Sequence, residues 1–293
     1  MFYQRTIKNN IKLEGVGLHS GEPVKMVLCP APPDTGIVFL TDGKRIKAVS
    51  DNVGDTSYAT TLQDGTTRIR TVEHLLAALA GLSIDNAYVE LDGPEVPIMD
   101  GSAWPFIEAI REAGITVLGS ARRYLKIIKP VTVHEGDKSA TLLPSPVSRI
   151  TYRIDFDHPA ITDQSCSMDV EPSTFAEELA GARTFGFLRD VEMLQKAGLA
   201  RGGSLENAVV MDDEQILNEE GLRYHDEFVR HKMLDAVGDL SLVGMPVIGH
   251  LVADKSGHWL NHRLVLEVLS HPDSWMVLEG EPAFEETRIY MEA

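Results

Sequence analysis

The chain has 293 residues, 43% hydrophobic and 24% charged, with a formal net charge of −17. That length exceeds one ordinary hydrophobic core and suits two domains. Such acidity excludes nucleic acid and anionic membrane as bulk partners, and an anionic small molecule would need a local basic pocket. Two distant cysteines, Cys29 and Cys166, argue against a disulfide framework and for a reducing, cytoplasmic setting. The N-terminal MFYQRTIKNNIKLEG has no apolar signal-peptide core. No apolar run approaches the roughly 20 residues that span a bilayer. A soluble monomer is expected.

To about Thr67 the chain reads as short strands and turns. IKLEGVGLHSGEPVKMVLCP alternates apolar and polar residues between Gly and Pro, and GIVFLTDGKRIKA carries a DG hairpin turn. The period then changes. TVEHLLAALAG predicts a helix capped by Thr71 and stopped by Gly81. The strand NAYVELDG, the Gly/Pro loop PEVPIMDGSA and the helix WPFIEAIREAG follow, and Thr116–Arg123 reads as a linker. In the second half YLKIIKPVTVHEG, SATLLPS and SRITYRIDF read as strands. STFAEELAGA and RYHDEFVRHKMLDAVGDLSLVG read as helices, PVIGHLVADK as a strand, KSG as a tight loop and HWLNHRLVLEVL as a helix.

Both halves thus run helix, strand, Gly loop, helix. His74 and Gly101 stand 27 positions apart, His231 and Gly257 stand 26 apart. This spacing predicts an α+β fold of two similar domains, 1–120 and 121–293, with their long helices facing one another across a cleft. Arg189–Leu217 breaks the symmetry as helix, Gly-rich turn and strand. Its apolar residues either line a passage or pack as an ordinary excursion.

On the helix around Phe228–Leu240, turned 100° per residue, Val229, Met233, Val237 and Leu240 form one stripe. His231, Asp235 and Asp239 form the opposite one at successive i+4 steps. His231 and Asp235 can therefore share one metal ion, although an isolated HxxxD is more commonly a solvated face. His74, in the first turn of its helix, is by itself a cap or core histidine. The adjacent Glu73 changes its meaning. A hydrolytic metal site needs three protein ligands, an open position for water and a carboxylate to take the water's proton. His74, His231 and Asp235 supply the ligands and Glu73 the carboxylate, without the HExxH order of metalloproteases. His258 opens a helix after the KSG loop, where Asp239 can keep it protonated as an electrophile and general acid. Ala182–Phe187 is either a strand end or a turn that offers the Thr184 hydroxyl to an oxyanion. GVGLHSG matches no nucleotide-binding pattern and reads as a tight turn near a ligand, with His19 a weak candidate for a metal or substrate contact.

GVGLHSG, TVEHLLAALAGLSIDNAYVEL, PIMDGSAWPF, ARTFGFLRD, EFVRHKMLDAVGDL and KSGH together resemble the UDP-3-O-acyl-N-acetylglucosamine deacetylase family, the zinc enzymes of Gram-negative lipid A biosynthesis. They span Gly15 to His258 in the family's order, with no departure at a motif position, and the total length is that of the single-function form. The resemblance implies two α+β domains in a sandwich, helices packed between outer sheets, each half with a small insert, at about 43–67 and about 189–217. It implies Zn²⁺ on His74, His231 and Asp235, Glu73 as general base, His258 as general acid and Thr184 at the oxyanion. Asp239 and Lys232 would complete the polar site, Lys232 near the nucleotide phosphates. Leu18, Phe185, Phe187 and Gly257 would touch substrate, and the second insert would shape an acyl passage.

The reaction implied is hydrolysis of the N-acetyl group of an acylated UDP-sugar. The ligand set alone also suits a zinc amidohydrolase of another acylated amino sugar. A non-catalytic carbohydrate- or nucleotide-binding protein is disfavoured, because it has no use for Glu73 and His258 beside three ligands.

Overall fold

The computed structural model describes residues 2–280; the last stretch of the expected second domain, 281–293, lies outside the described residues. Two five-stranded sheets share one topology. The first comprises β1 (Ile11–Val16), β2 (Pro23–Pro30), β3 (Ile37–Thr41), β4 (Lys44–Lys47) and β5 (Ala87–Leu91), in spatial order β1-β2-β5-β3-β4. The second comprises β6 (Val131–Glu135), β7 (Lys138–Leu143), β8 (Arg149–Asp155), β9 (Asp163–Asp169) and β10 (His250–Asp254), in order β6-β7-β10-β8-β9. Only β5 with β3 and β10 with β8 pair in parallel. The remaining neighbours are antiparallel. The expected duplication is therefore present strand for strand.

Each parallel pairing requires a long crossover, and each crossover delivers a helix. These are α1 (Glu73–Gly81), entering β5, and α3 (Glu227–Ser241), ahead of β10; α2 (Trp104–Ala113) and α4 (His258–Ser270) follow. The strands bury one face by simple alternation: Val24, Met26 and Leu28 in β2, and Ile150, Tyr152 and Ile154 in β8. The central helices behave otherwise. Both α1 and α3 are buried nearly all round, because they pack against one another as the inner layer between the sheets. Gly238 permits the closest approach: a Cβ there would meet the Glu73 carbonyl oxygen at 2.1 Å. This close crossing brings the first turn of α1 against the middle of α3.

Several local expectations fail for identifiable reasons. Thr71 does not cap α1; its φ is +56° and its hydroxyl donates to Glu95 Oε1 at 2.7 Å, which leaves Val72 at the cap position. The supposed linker is strand Ile115–Ala121, paired with Tyr3–Ile7 near the N-terminus. STFAEELAGA forms one turn, Pro172–Thr174, and then a π-helix, Phe175–Leu179. The first insert begins later than 43, since Lys44–Lys47 zips onto β3 in the main sheet. What stands apart is a small antiparallel sheet of Val53–Asp55, Thr61–Asp64 and Thr67–Ile69. In the other half, helix Leu188–Lys196 lies between the parallel strands Phe185–Phe187 and Val209–Met211. Among the described residues no helix is long and apolar enough to cross a membrane.

Candidate metal centre

The stripe of α3 that carries His231, Asp235 and Asp239 is not solvated. All three are at most 3% exposed, because α1 covers them. His74, from α1, meets His231 edge-on with ring centroids 4.9 Å apart. Asp235 Oδ1 lies 3.3 Å from His231 Nε2 and 3.5 Å from His74 Nε2. One donor atom from each of these residues falls within 4.8 Å of the others. Asp235 Oδ1 is fully buried and receives no hydrogen bond from the described residues. A buried carboxylate oxygen without a donor is costly, and a divalent cation shared with two imidazoles satisfies it. The donor set of two imidazoles and one carboxylate therefore fits a divalent metal ion.

The groups behind these three residues hold them in a form that could bind a metal. His231 Nδ1 is 3.0 Å from the Ala182 carbonyl, which assigns its proton to that nitrogen and frees Nε2. Burial is the main cause that drives the His231 pKa down, to about 3, so the ring stays neutral. Lys232 Nζ donates to Asp235 Oδ2 at 2.6 Å, turning Oδ1 toward the histidines. Burial opposes ionisation of Asp235, but the neighbouring cations Lys232 and His258 outweigh it and hold the carboxyl well below the usual range.

Glu73 and His258 flank this centre. His258 Nε2 is 3.8 Å from Glu73 Oε1 and 3.9 Å from Asp235 Oδ2. Its Nδ1 contacts Asp239 Oδ2 at 2.9 Å. Burial lowers the His258 pKa, but Asp239, Glu73 and Asp235 together reverse the effect and raise it to about 9. Burial pushes Glu73 up, with His258 and His74 partly offsetting it. The arrangement is a carboxyl whose pKa burial raises and a cationic imidazole facing one another beside three candidate ligand atoms.

The loop before the second insert is anchored from below. Buried Arg183 donates to Glu227 Oε1 through its backbone N–H and Nε, both at 2.9 Å. Glu227 is completely buried and also accepts from the Arg223 N–H at 2.6 Å. This anchor fixes Ala182 and Thr184 on either side. Thr184 is half-buried, its N–H bonded to the Gly101 carbonyl at 2.8 Å. Phe185 packs edge-on to His231 at 6.2 Å, with Lys232 Nζ 5.7 Å above its ring.

Gly257, the residue before α4, lines a cleft of about 920 Å³ with Lys232, Lys138, Lys255 and Phe156. Phe187 stacks near Phe156 and His158 at 6.0 and 5.5 Å. Leu18 lies elsewhere, on the tight Gly17–Gly21 turn, where its carbonyl accepts from Gly202 in the second insert. His19 is 5% exposed and outside the group of converging ligands. Its Nδ1 accepts from Ala200 N–H at 3.3 Å, and its Nε2 has no hydrogen-bond partner among the described residues. Motif reading missed Thr60, Glu227 and Asn261. Each acts through a contact distant in sequence; Thr60 and Asn261 lie outside any patterned run of titratable residues, and Glu227, one i+4 step before His231, reads as a first-turn carboxylate.

The family model described as LpxC, UDP-3-O-acyl N-acetylglycosamine deacetylase, matches residues 4–270. A UDP-3-O-acyl-N-acetylglucosamine deacetylase of Myxococcus xanthus is 56% identical over 281 residues, covering 94% of this chain and 90% of the relative. Proteins of the same name from Citrifermentans bemidjiense and Pseudomonas entomophila are 51% and 50% identical. They cover 96% and 99% of this chain, and 94% and 98% of their own lengths. On a match this long and relatives this similar, the chain belongs to the UDP-3-O-acyl-N-acetylglucosamine deacetylase family of enzymes.

Proposed function

We propose that the chain hydrolyses the N-acetyl group of UDP-3-O-(3-hydroxyacyl)-N-acetylglucosamine, releasing acetate in the committed step of lipid A biosynthesis, and that its metal is Zn²⁺. The observation that carries this reading is the unpartnered Asp235 Oδ1 between His74 and His231, with Glu73 and His258 alongside. His74, His231 and Asp235 would hold the zinc ion, which would supply Lewis acidity and lower the pKa of the attacking water to about 7.

The side chains then divide the proton work. Glu73 Oε1 takes the proton of the attacking water as the carbon–oxygen bond forms. The oxyanion accepts hydrogen bonds from the Thr184 hydroxyl and the cationic His258. His258 Nε2 gives its proton to the nitrogen as the C–N bond breaks, leaving a free amine and acetate. Asp239, on Nδ1, keeps the ring oriented and charged.

Substrate contacts follow from chemistry. The lysines and Phe156 of the 920 Å³ cleft, with Gly257 at its rim, suit a diphosphate and a planar base, with Lys232 nearest the reacting centre. Leu188, Met193 and Leu205 of the second insert are 50%, 53% and 45% exposed. Apolar side chains left on the surface of one excursion favour an acyl passage, shaped with Leu18, Phe185 and Phe187, over simple packing. The matching sheet topologies support two domains, 1–120 and 121–293. The unpaired cysteines, Cys29 and Cys166, support a cytoplasmic setting. Comparing acetate release from the acylated UDP-sugar and from its acyl-free counterpart tests the assignment: the acylated compound is expected to have much the higher kcat/KM. Equal turnover of both contradicts the acyl specificity.

A further inference from the structure

We propose that Thr60, delivered by the small three-stranded sheet of the first half, is a positioning residue that holds the general base and the general acid's carboxylate partner in register. Thr60 is 1% exposed and immediately precedes strand Thr61–Asp64. Its backbone N–H donates to Glu73 Oε2 at 3.0 Å, and its hydroxyl donates to Asp239 Oδ1 at 2.6 Å. Its own carbonyl accepts from the Val72 N–H at the start of α1. One residue thus ties α1 to a side chain on α3 that is 179 positions away in sequence.

The geometry divides each carboxylate in the same way. Thr60 occupies the oxygen of Glu73 that points away from His258, leaving Oε1 toward the imidazole. It likewise occupies Asp239 Oδ1, while Oδ2 receives His258 Nδ1 and the Asn261 amide, both at 2.9 Å. A carboxylate accepting three donors has one orientation, and that orientation aims the imidazole. The first insert is therefore part of the catalytic support rather than a peripheral excursion. Thr60 does not border the 920 Å³ cleft, so its contribution falls on the chemical step and not on binding.

The inference rests on the acid–base assignments proposed above. The two contacts of Thr60 respond differently to substitution, which makes it testable. Thr60→Val keeps the shape and the backbone donor to Glu73 and removes only the hydroxyl donor to Asp239. In the zinc-loaded full chain, Thr60→Val is expected to lower kcat on the order of tenfold to a hundredfold, the range for a hydrogen bond to a charged group. KM and bound zinc stay at parental levels, and Thr60→Ser restores most of the rate. In an Asp239→Ala background, Thr60→Val costs nothing further, since the hydroxyl acts through that carboxylate. If Thr60→Val does not fold, the comparison is made between Thr60→Ser and Thr60→Ala, and Ser must exceed Ala by the same factor. Parental kcat in Thr60→Val, a change confined to KM, or full additivity with Asp239→Ala overturns the role of Thr60. Parental turnover in Asp239→Ala itself overturns the acid–base assignment instead, so the two failures are distinct.

Discussion

His258 Nε2 faces Glu73 Oε1 across 3.8 Å, although the two residues come from opposite halves of the chain. Each is braced on its far side, His258 by Asp239 and Glu73 by the Thr60 N–H. The space between them adjoins the three candidate ligands. The proposed base and acid, on one side of an amide carbonyl, can pass a proton from attacking water to departing nitrogen with little movement. The close packing of α1 on α3 through Gly238 places Glu73, and Asp239 of α3 holds the ring of His258 from α4 opposite it.

Removing either member is expected to slow the chemistry without emptying the metal site. Glu73→Gln and His258→Ala should each lower kcat by on the order of 10²–10⁴. Steady-state acetate release checks the rate, and elemental analysis checks that zinc is retained. A variant with near-parental kcat removes that residue from the mechanism.

The pH profile should be bell-shaped. The general acid is competent while protonated, so activity falls as pH rises through the His258 pKa, raised to about 9. The base is competent while ionised, so activity falls as pH drops through the Glu73 pKa, which burial lifts above its ordinary value of 4.5. Asp239 is the largest influence raising His258, and Asp239→Asn should move the alkaline limb to lower pH. A limb that does not move assigns it to another group.

The buried Arg183–Glu227 pair should matter for stability and for metal affinity together. Glu227→Ala removes the buried partner of a guanidinium that is 3% exposed, leaving it Glu220 and the Gly221 carbonyl, and should cost about 1.5–3 kcal/mol in urea unfolding. It also loosens the loop whose Ala182 carbonyl orients His231. Zinc affinity should fall about 10–100-fold, the usual effect of losing support behind a ligand, as measured by competition with a chromophoric chelator.

Much of this site is legible in the sequence because it is periodic. The i+4 ladder of His231, Asp235 and Asp239 defines one helical face, and the near-equal spacing of the two halves gives that face a partner in His74. The same periodicity hides what surrounds it. Thr71 has the residue type of a cap, yet Glu95 captures its hydroxyl and the backbone turns left-handed. The pairing of Ile115–Ala121 with Tyr3–Ile7 joins segments over a hundred positions apart, so the stretch looks like a linker when read alone. Thr60 is a single polar residue in an unpatterned segment, and Glu227, although one step before His231 on the same i+4 ladder, looks like an ordinary first-turn carboxylate. Their importance comes from burial beside charges that only the folded chain brings near.

Metal loss should be specific to the ligand set. His74→Ala should abolish stoichiometric zinc and turnover while leaving the fold intact, because its helix is held mainly by Leu75, Leu76 and Leu79. Circular dichroism and elemental analysis on the same preparation separate the two effects. Full zinc occupancy in this variant places the metal elsewhere.

The most direct measurement is acetate release from UDP-3-O-acyl-N-acetylglucosamine by the purified chain, before and after removal of metal with a chelator and again after adding zinc. The account predicts turnover that chelation abolishes and stoichiometric zinc restores. Acetate release that persists in the metal-free protein, or none from the zinc-loaded protein, contradicts it.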